Sequence, residues 1–204
     1  MEYLIAGLPF PLMPEGPAPQ AWSQADNVIS VDAPAGSNMF IDPAHPDELP
    51  LPDAPRLVGL PEGDFQLSAR VTVDFRSMFD AGVIIVQVDE KHWAKLCFEY
   101  TPQQTPSVVT VVTRGVSDDA NAFELAENTV WLRLSRVGET FVCHASTDGV
   151  WWRMMRYFAL TGSPAGVPAR VGFEGQAPTG DGCRITFDQI TYRAETLKDL
   201  RDGS

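Results

Sequence analysis

From Asp64 to Tyr192 the chain consists of runs of about six to nine residues rich in Val, Ile, Thr, Phe and Trp, parted by Gly, Asp, Asn and Pro, which is a strand-and-turn pattern. It predicts strands over Phe65–Phe75, Ala81–Asp89, Trp93–Tyr100, Val108–Arg114, Thr129–Arg136, Thr140–Thr147, Trp151–Phe158, Ala169–Gln176 and Arg184–Tyr192. Asp89–His92, Val137–Glu139 and Asp148–Gly149 have the composition of hairpin connections. No stretch between Asp64 and Tyr192 carries a 3.6-residue apolar stripe; a short helical turn is expected only in Thr196–Arg201. Many consecutive antiparallel strands must bury two inner faces against each other, so the expected fold is an all-β sandwich of two antiparallel sheets.

Twelve of the 17 prolines lie in residues 1–61 and break that third into loops and short extended pieces, Asn27–Val31, Met39–Ile41 and Leu57–Leu60. Its apolar residues are expected to pack on the sheets. The 204 residues are read as one domain with a core over about 22–192 and a polar tail over 193–204.

A formal charge of −12 disfavours nucleic acid and anionic lipid as partners. No apolar run approaches a bilayer span and the start lacks a basic leader, so a cytoplasmic protein is expected. Cys97, Cys143 and Cys183 are widely spaced and are expected to be buried thiols. The chain has no G-x-S-x-G, P-loop, G-x-G-x-x-G or H-E-x-x-H motif. No cofactor or metal centre is predicted. Calcium is the one ion for which oxygen ligands stand near turns, at Asp80, Asp89, Asp118, Asp119 and Asp181, although turn formation accounts for these aspartates.

An ordered series runs through Gly63–Phe75, Phe79–Val83, Val88–Tyr100, Val111–Asp118, Val130–Arg136 and Ser146–Met154. In this series the chain resembles the domain of unknown function 1349 family over roughly Trp22–Tyr192. The resemblance implies a concanavalin A-like jelly-roll sandwich of the lectin and glucanase superfamily, with the Pro-rich N-terminal segment packed on it. It implies no reaction. Because the family includes a yeast protein named for regulation of enolase, it also raises a protein-interaction module acting on a metabolic enzyme.

Alternate residues of a strand share a face. Trp93, Lys95 and Glu99 therefore lie opposite Ala94, Leu96 and Phe98; Trp131 and Arg133 lie opposite Leu132 and Leu134; His144 lies opposite Cys143 and Ala145; Glu174 and Gln176 lie opposite Val171 and Phe173. If these strands are neighbours in one sheet, Trp93, Lys95, Glu99, Trp131, Arg133, His144, Glu174 and Gln176 form one concave polar surface suited to a carbohydrate or sugar-derived metabolite. An antiparallel sheet with a solvated face shows the same alternation without any ligand. Glu99, Glu174 and His144 are the candidate catalytic residues, the two glutamates as the carboxylate pair of a glycoside-active enzyme. For the interaction reading, Phe10, Leu12 and Trp22 are the candidate exposed apolar residues, and an open edge strand offers a route to a homodimer.

Overall fold

The computed structural model describes residues 2–204 and contains fourteen strands in two seven-stranded sheets, with one 3₁₀ turn and no α-helix among the described residues. Sheet I has the order β1 (Met13–Glu15), β4 (Arg56–Gly59), β13 (Arg170–Gln176), β6 (Ala81–Asp89), β7 (His92–Tyr100), β8 (Pro106–Arg114), β9 (Val116–Glu124). Sheet II has the order β12 (Arg153–Phe158), β11 (Thr140–Ser146), β10 (Thr129–Val137), β5 (Phe65–Val73), β14 (Gly182–Arg193), β3 (Val28–Pro34), β2 (Trp22–Ala25). Neighbours pair antiparallel, as the hairpin spacing predicts.

The core lies between the sheets, where Leu57, Ile84, Leu96, Phe98 and Phe173 meet Leu67, Val71, Leu132, Ile185 and Phe187. The sheets approach closely where Gly82 and Gly175 stand opposite each other on adjacent strands. A Cβ on Gly82 would lie 2.6 Å from both Val71 and Ile185, so this contact requires a residue without a side chain. A second apolar cluster forms on the outer side of sheet I. There Met39 and Ile41 of the Pro-rich loop cover Val58, Val83, Ile85, Trp93 and Cys97. The three cysteines are buried and unpaired.

Three local expectations are corrected. Met39–Ile41 is not a strand; Ile41 is held instead by Ser117, whose hydroxyl accepts from Ile41 N and whose N–H donates to Ile41 O, both at 2.9 Å. No helix forms over Thr196–Arg201, where Leu197 is the buried side chain and the last residues close as turns. Strand β9 was not predicted, because Asp118, Asp119 and Asn121 are poor strand formers; they are tolerated where a strand pairs on one side only. The N-terminal third is woven into both sheets through β1 to β4, and residues 35–55 also lie over sheet I.

Candidate functional site

Register fixes what the outer face of sheet I carries. Arg56 stands opposite Glu174 on β13, Ala81 of β6 stands between Gln176 and Glu99, and Lys95 of β7 stands opposite Ile85. The Lys95 side chain reaches across β6: its Nζ donates to Gln176 Oε1 at 2.7 Å and lies 3.8 Å from Glu174 Oε1. Gln176 Nε2 in turn donates to Phe79 O at 3.0 Å.

Phe79 adopts a left-handed backbone, with φ of 70°, a conformation that costs a bulky residue about 1–2 kcal/mol. Its surroundings hold it there: Phe79 N donates to Tyr100 O at 2.7 Å, and buried Asp80 accepts from Arg76 N and Ser77 N. Phe79 and half-buried Phe40 face a cavity of about 290 Å³ whose polar lining includes Lys95, Glu99, Gln176, Asn38 and Asp119. Burial pushes the Glu99 carboxyl up to about 7, against the pull of Lys95 and with a further push from Asp119. At neutral pH Glu99 therefore both donates and accepts.

Glu174 behaves differently. It has no exposed surface and neither carboxylate oxygen has a hydrogen-bond partner. Burial raises its pKa against the opposing charges of Lys95 and Arg56. It does not line the cavity, so Glu99 and Glu174 do not face each other across a ligand space.

The single polar surface expected from alternation does not form. Trp93, Lys95, Glu99, Glu174 and Gln176 belong to sheet I, whereas Trp131, Arg133 and His144 belong to sheet II and lie on the far side of the sandwich, because β10 and β11 pair with β5 and β12 rather than with β7 or β13. Trp93 is roofed by the Pro-rich loop and is 1% exposed. Trp131 donates to Gln189 Oε1 at 3.0 Å. Arg133 stacks 3.8 Å from the Trp152 ring centroid and donates to Gly203 O at 2.6 Å, and His144 Nε2 donates to Leu200 O at 2.9 Å. Burial lowers the His144 pKa and brings the Arg133 guanidinium down to about 10. Residues of the C-terminal tail thus occupy the Arg133 and His144 site.

The family model for the protein of unknown function DUF1349 matches residues 17–195. The chain belongs to the DUF1349 family. This DUF1349 protein is 27% identical over 154 residues to Regulation of enolase protein 1 of Saccharomyces cerevisiae, covering 74% of the chain and 76% of the relative. A crystal structure of a functionally unknown S. cerevisiae protein superposes with a TM-score of 0.76 at 20% identity, over 87% of this chain and 93% of that one. The GH43 protein BlXynB of Bacillus licheniformis superposes with a TM-score of 0.71 at 13% identity, and xylan β-1,4-xylosidase of Bacillus halodurans with 0.69 at 15%. This chain spans 38% and 34% of those two, with 96% and 86% of its own length covered. At these identities the likeness concerns the fold, a concanavalin A-like jelly-roll sandwich.

Phe10, Leu12 and Trp22 of this DUF1349 protein are not an exposed patch. Leu12 and Trp22 are buried and Phe10 packs edge-on against Tyr192, so these three residues are committed to the core. Three of the five aspartates near turns have protein partners: Asp80 holds the Phe79 turn, Asp89 accepts from Lys91 N, and Asp118 pairs with Arg156 at 3.0 Å. Among the described residues no group of three or more His, Cys, Asp or Glu is placed to hold a metal ion, and no helix is long and apolar enough to cross a membrane. Phe40, Phe79, Asn38 and Asp119 are the site residues that strand periodicity missed. Phe40 left one usable trace, as the middle of the apolar triplet Met39–Ile41 within a proline-rich loop.

Proposed function

We propose that the protein binds a carbohydrate or sugar-derived small molecule in the cavity between the outer face of sheet I and the Pro-rich loop. One observation carries this reading: Lys95, Glu99 and Gln176 converge on a cavity whose other lining includes two half-buried aromatic rings, Phe40 and Phe79. Aromatic faces pack on sugar C–H groups, and side chains that donate and accept fix hydroxyls. A reducing cytoplasmic setting fits the three free thiols. A glycoside-active version of the site has Glu99 as proton donor, since a carboxyl near 7 keeps its proton at working pH. The test is a thermal-shift screen against mono- and oligosaccharides, because a ligand of the folded state raises the melting temperature. A dose-dependent shift that Glu99→Ala abolishes is expected; a shift unchanged in Glu99→Ala removes the cavity from the site.

The name of the yeast relative supports a second reading, a regulator that binds a metabolic enzyme. Titration of purified enolase into the protein by calorimetry tests it, and absence of heat at micromolar concentrations of both rejects it.

A further inference from the structure

The cavity at Lys95 is the first of three along the Pro-rich loop, with volumes of about 290, 200 and 570 Å³. The first two share Phe40 as a wall, and the second and third share Pro50 and Pro52. We propose that the three form one groove, and that its occupant is a linear, neutral oligosaccharide whose far end binds at Arg56 and Gln87. The proposal rests on the sugar-binding reading of the first cavity and extends it.

The far cavity specifies the chemistry of its ligand. Arg56 and Gln87 both line it and both are more than nine-tenths buried, yet Arg56 Nε and Gln87 Oε1 have no hydrogen-bond partner. One is a donor and the other an acceptor. A carboxylate or phosphate satisfies only the arginine and an ammonium satisfies only the glutamine, whereas hydroxyl groups donate and accept and so satisfy both. Charge points the same way. Asp42 and Glu48 are accompanied in the middle cavity by one basic side chain, His45, and Asp53 and Glu90 in the far cavity by Arg56 alone. A groove with excess negative charge repels sugar phosphates and sugar acids. The shared walls, Phe40 and the two prolines, are flat apolar surfaces of the kind that pack against pyranose C–H faces.

Calorimetric titration of the full chain with β-1,4-linked xylose and glucose saccharides of one, two and four residues tests the proposal. The tetrasaccharide is expected to bind about tenfold or more tighter than the monosaccharide. Gln87→Leu keeps the side-chain size, removes the unpaired acceptor and is expected to erase that gain. Glu90→Ala, at an exposed position of the same cavity, is expected to reduce the gain as well. Glu99→Ala is expected to weaken every length equally. Equal affinities for one and four residues, or a length gain that survives both Gln87→Leu and Glu90→Ala, overturn the groove and leave the first cavity standing. Silence toward every saccharide overturns the reading of the first cavity too, and binding of tetralysine in place of sugars replaces the oligosaccharide with a basic peptide.

Discussion

The outer face of sheet I is covered by residues 35–55 and that of sheet II by the C-terminal tail, and the two covers differ in how their backbone meets the sheet. The loop over sheet I contains prolines 43, 46, 50, 52 and 55, which have no N–H to offer. It is tied near its ends, where Ser37 bridges to Ala177 and Asn38 N donates to Asp53 O, and at Ile41, whose N and O both bond to Ser117 of β9, while Met39 and Ile41 add apolar contact. Between those anchors it stands off the sheet and leaves cavities. The tail over sheet II presents carbonyls directly to Arg133, His144 and Gln66, and seats Leu197. The tail closes over Arg133 and His144 Nε2 with carbonyls, although His144 Nδ1 and Ser135 Oγ stay unpaired beneath it, whereas the loop over sheet I leaves open cavities beside the unpaired Arg56 Nε and Gln87 Oε1.

The largest expected effect tests the ion pair under the first cover. Lys95→Met removes the nearer of the two cations beside buried Glu174, leaving only Arg56, and is expected to cost about 3 kcal/mol in urea unfolding. Lys95→Met with Glu174→Met is expected to recover most of that loss, because two apolar side chains need no partner. If the double variant is no better than the single, the buried pair is not what this face depends on.

Under the second cover, Leu197→Ala removes the apolar anchor of the tail and is expected to cost about 3 kcal/mol. Its emission spectrum is expected to shift to the red as Trp152, 8% exposed beneath Arg133, gains water. Unchanged emission would mean that the carbonyl bonds alone hold the tail.

The faces also answer pH in opposite directions. Glu99 keeps its proton to about pH 7 in the folded protein but loses it near 4.5 in the unfolded chain. Between those values the folded state binds more protons, so stability falls as pH rises through the window, by about 2 kcal/mol once partial exposure is allowed for. Glu99→Gln is expected to flatten that limb of a denaturation-midpoint profile. His144 has a folded pKa below its ordinary 6.5, chiefly through burial. Below that value the unfolded chain binds more protons, so stability falls as pH drops. His144→Gln is expected to flatten the acid limb, by less than Glu99→Gln flattens the other. Profiles in which both substitutions act on the same limb would break the contrast between the faces.

How much of the site was legible follows from these contrasts. Lys95, Glu99 and Gln176 were found because strand alternation places them on the polar side and burial of Leu96 and Phe98 holds them there. Phe79 was missed because no pattern marks a left-handed Phe; Asp80 and Tyr100 impose that backbone from outside the residue. Asp119 reads from the sequence as a turn aspartate, because its strand is made of residues of low β-propensity that are held by pairing to β8.

Local chemistry in the chain determined the strand periods, the hairpin turns and the face on which each side chain lies, because alternation depends only on a residue and its near neighbours. Tertiary structure decided which strands share a sheet. Val171 pairs with Gly59 and Thr186 with Ser30, contacts between distant segments that no local pattern contains. That choice separates Arg133 and His144 from Lys95 and Glu99, and it lays the donor-poor loop over one face and the tail over the other.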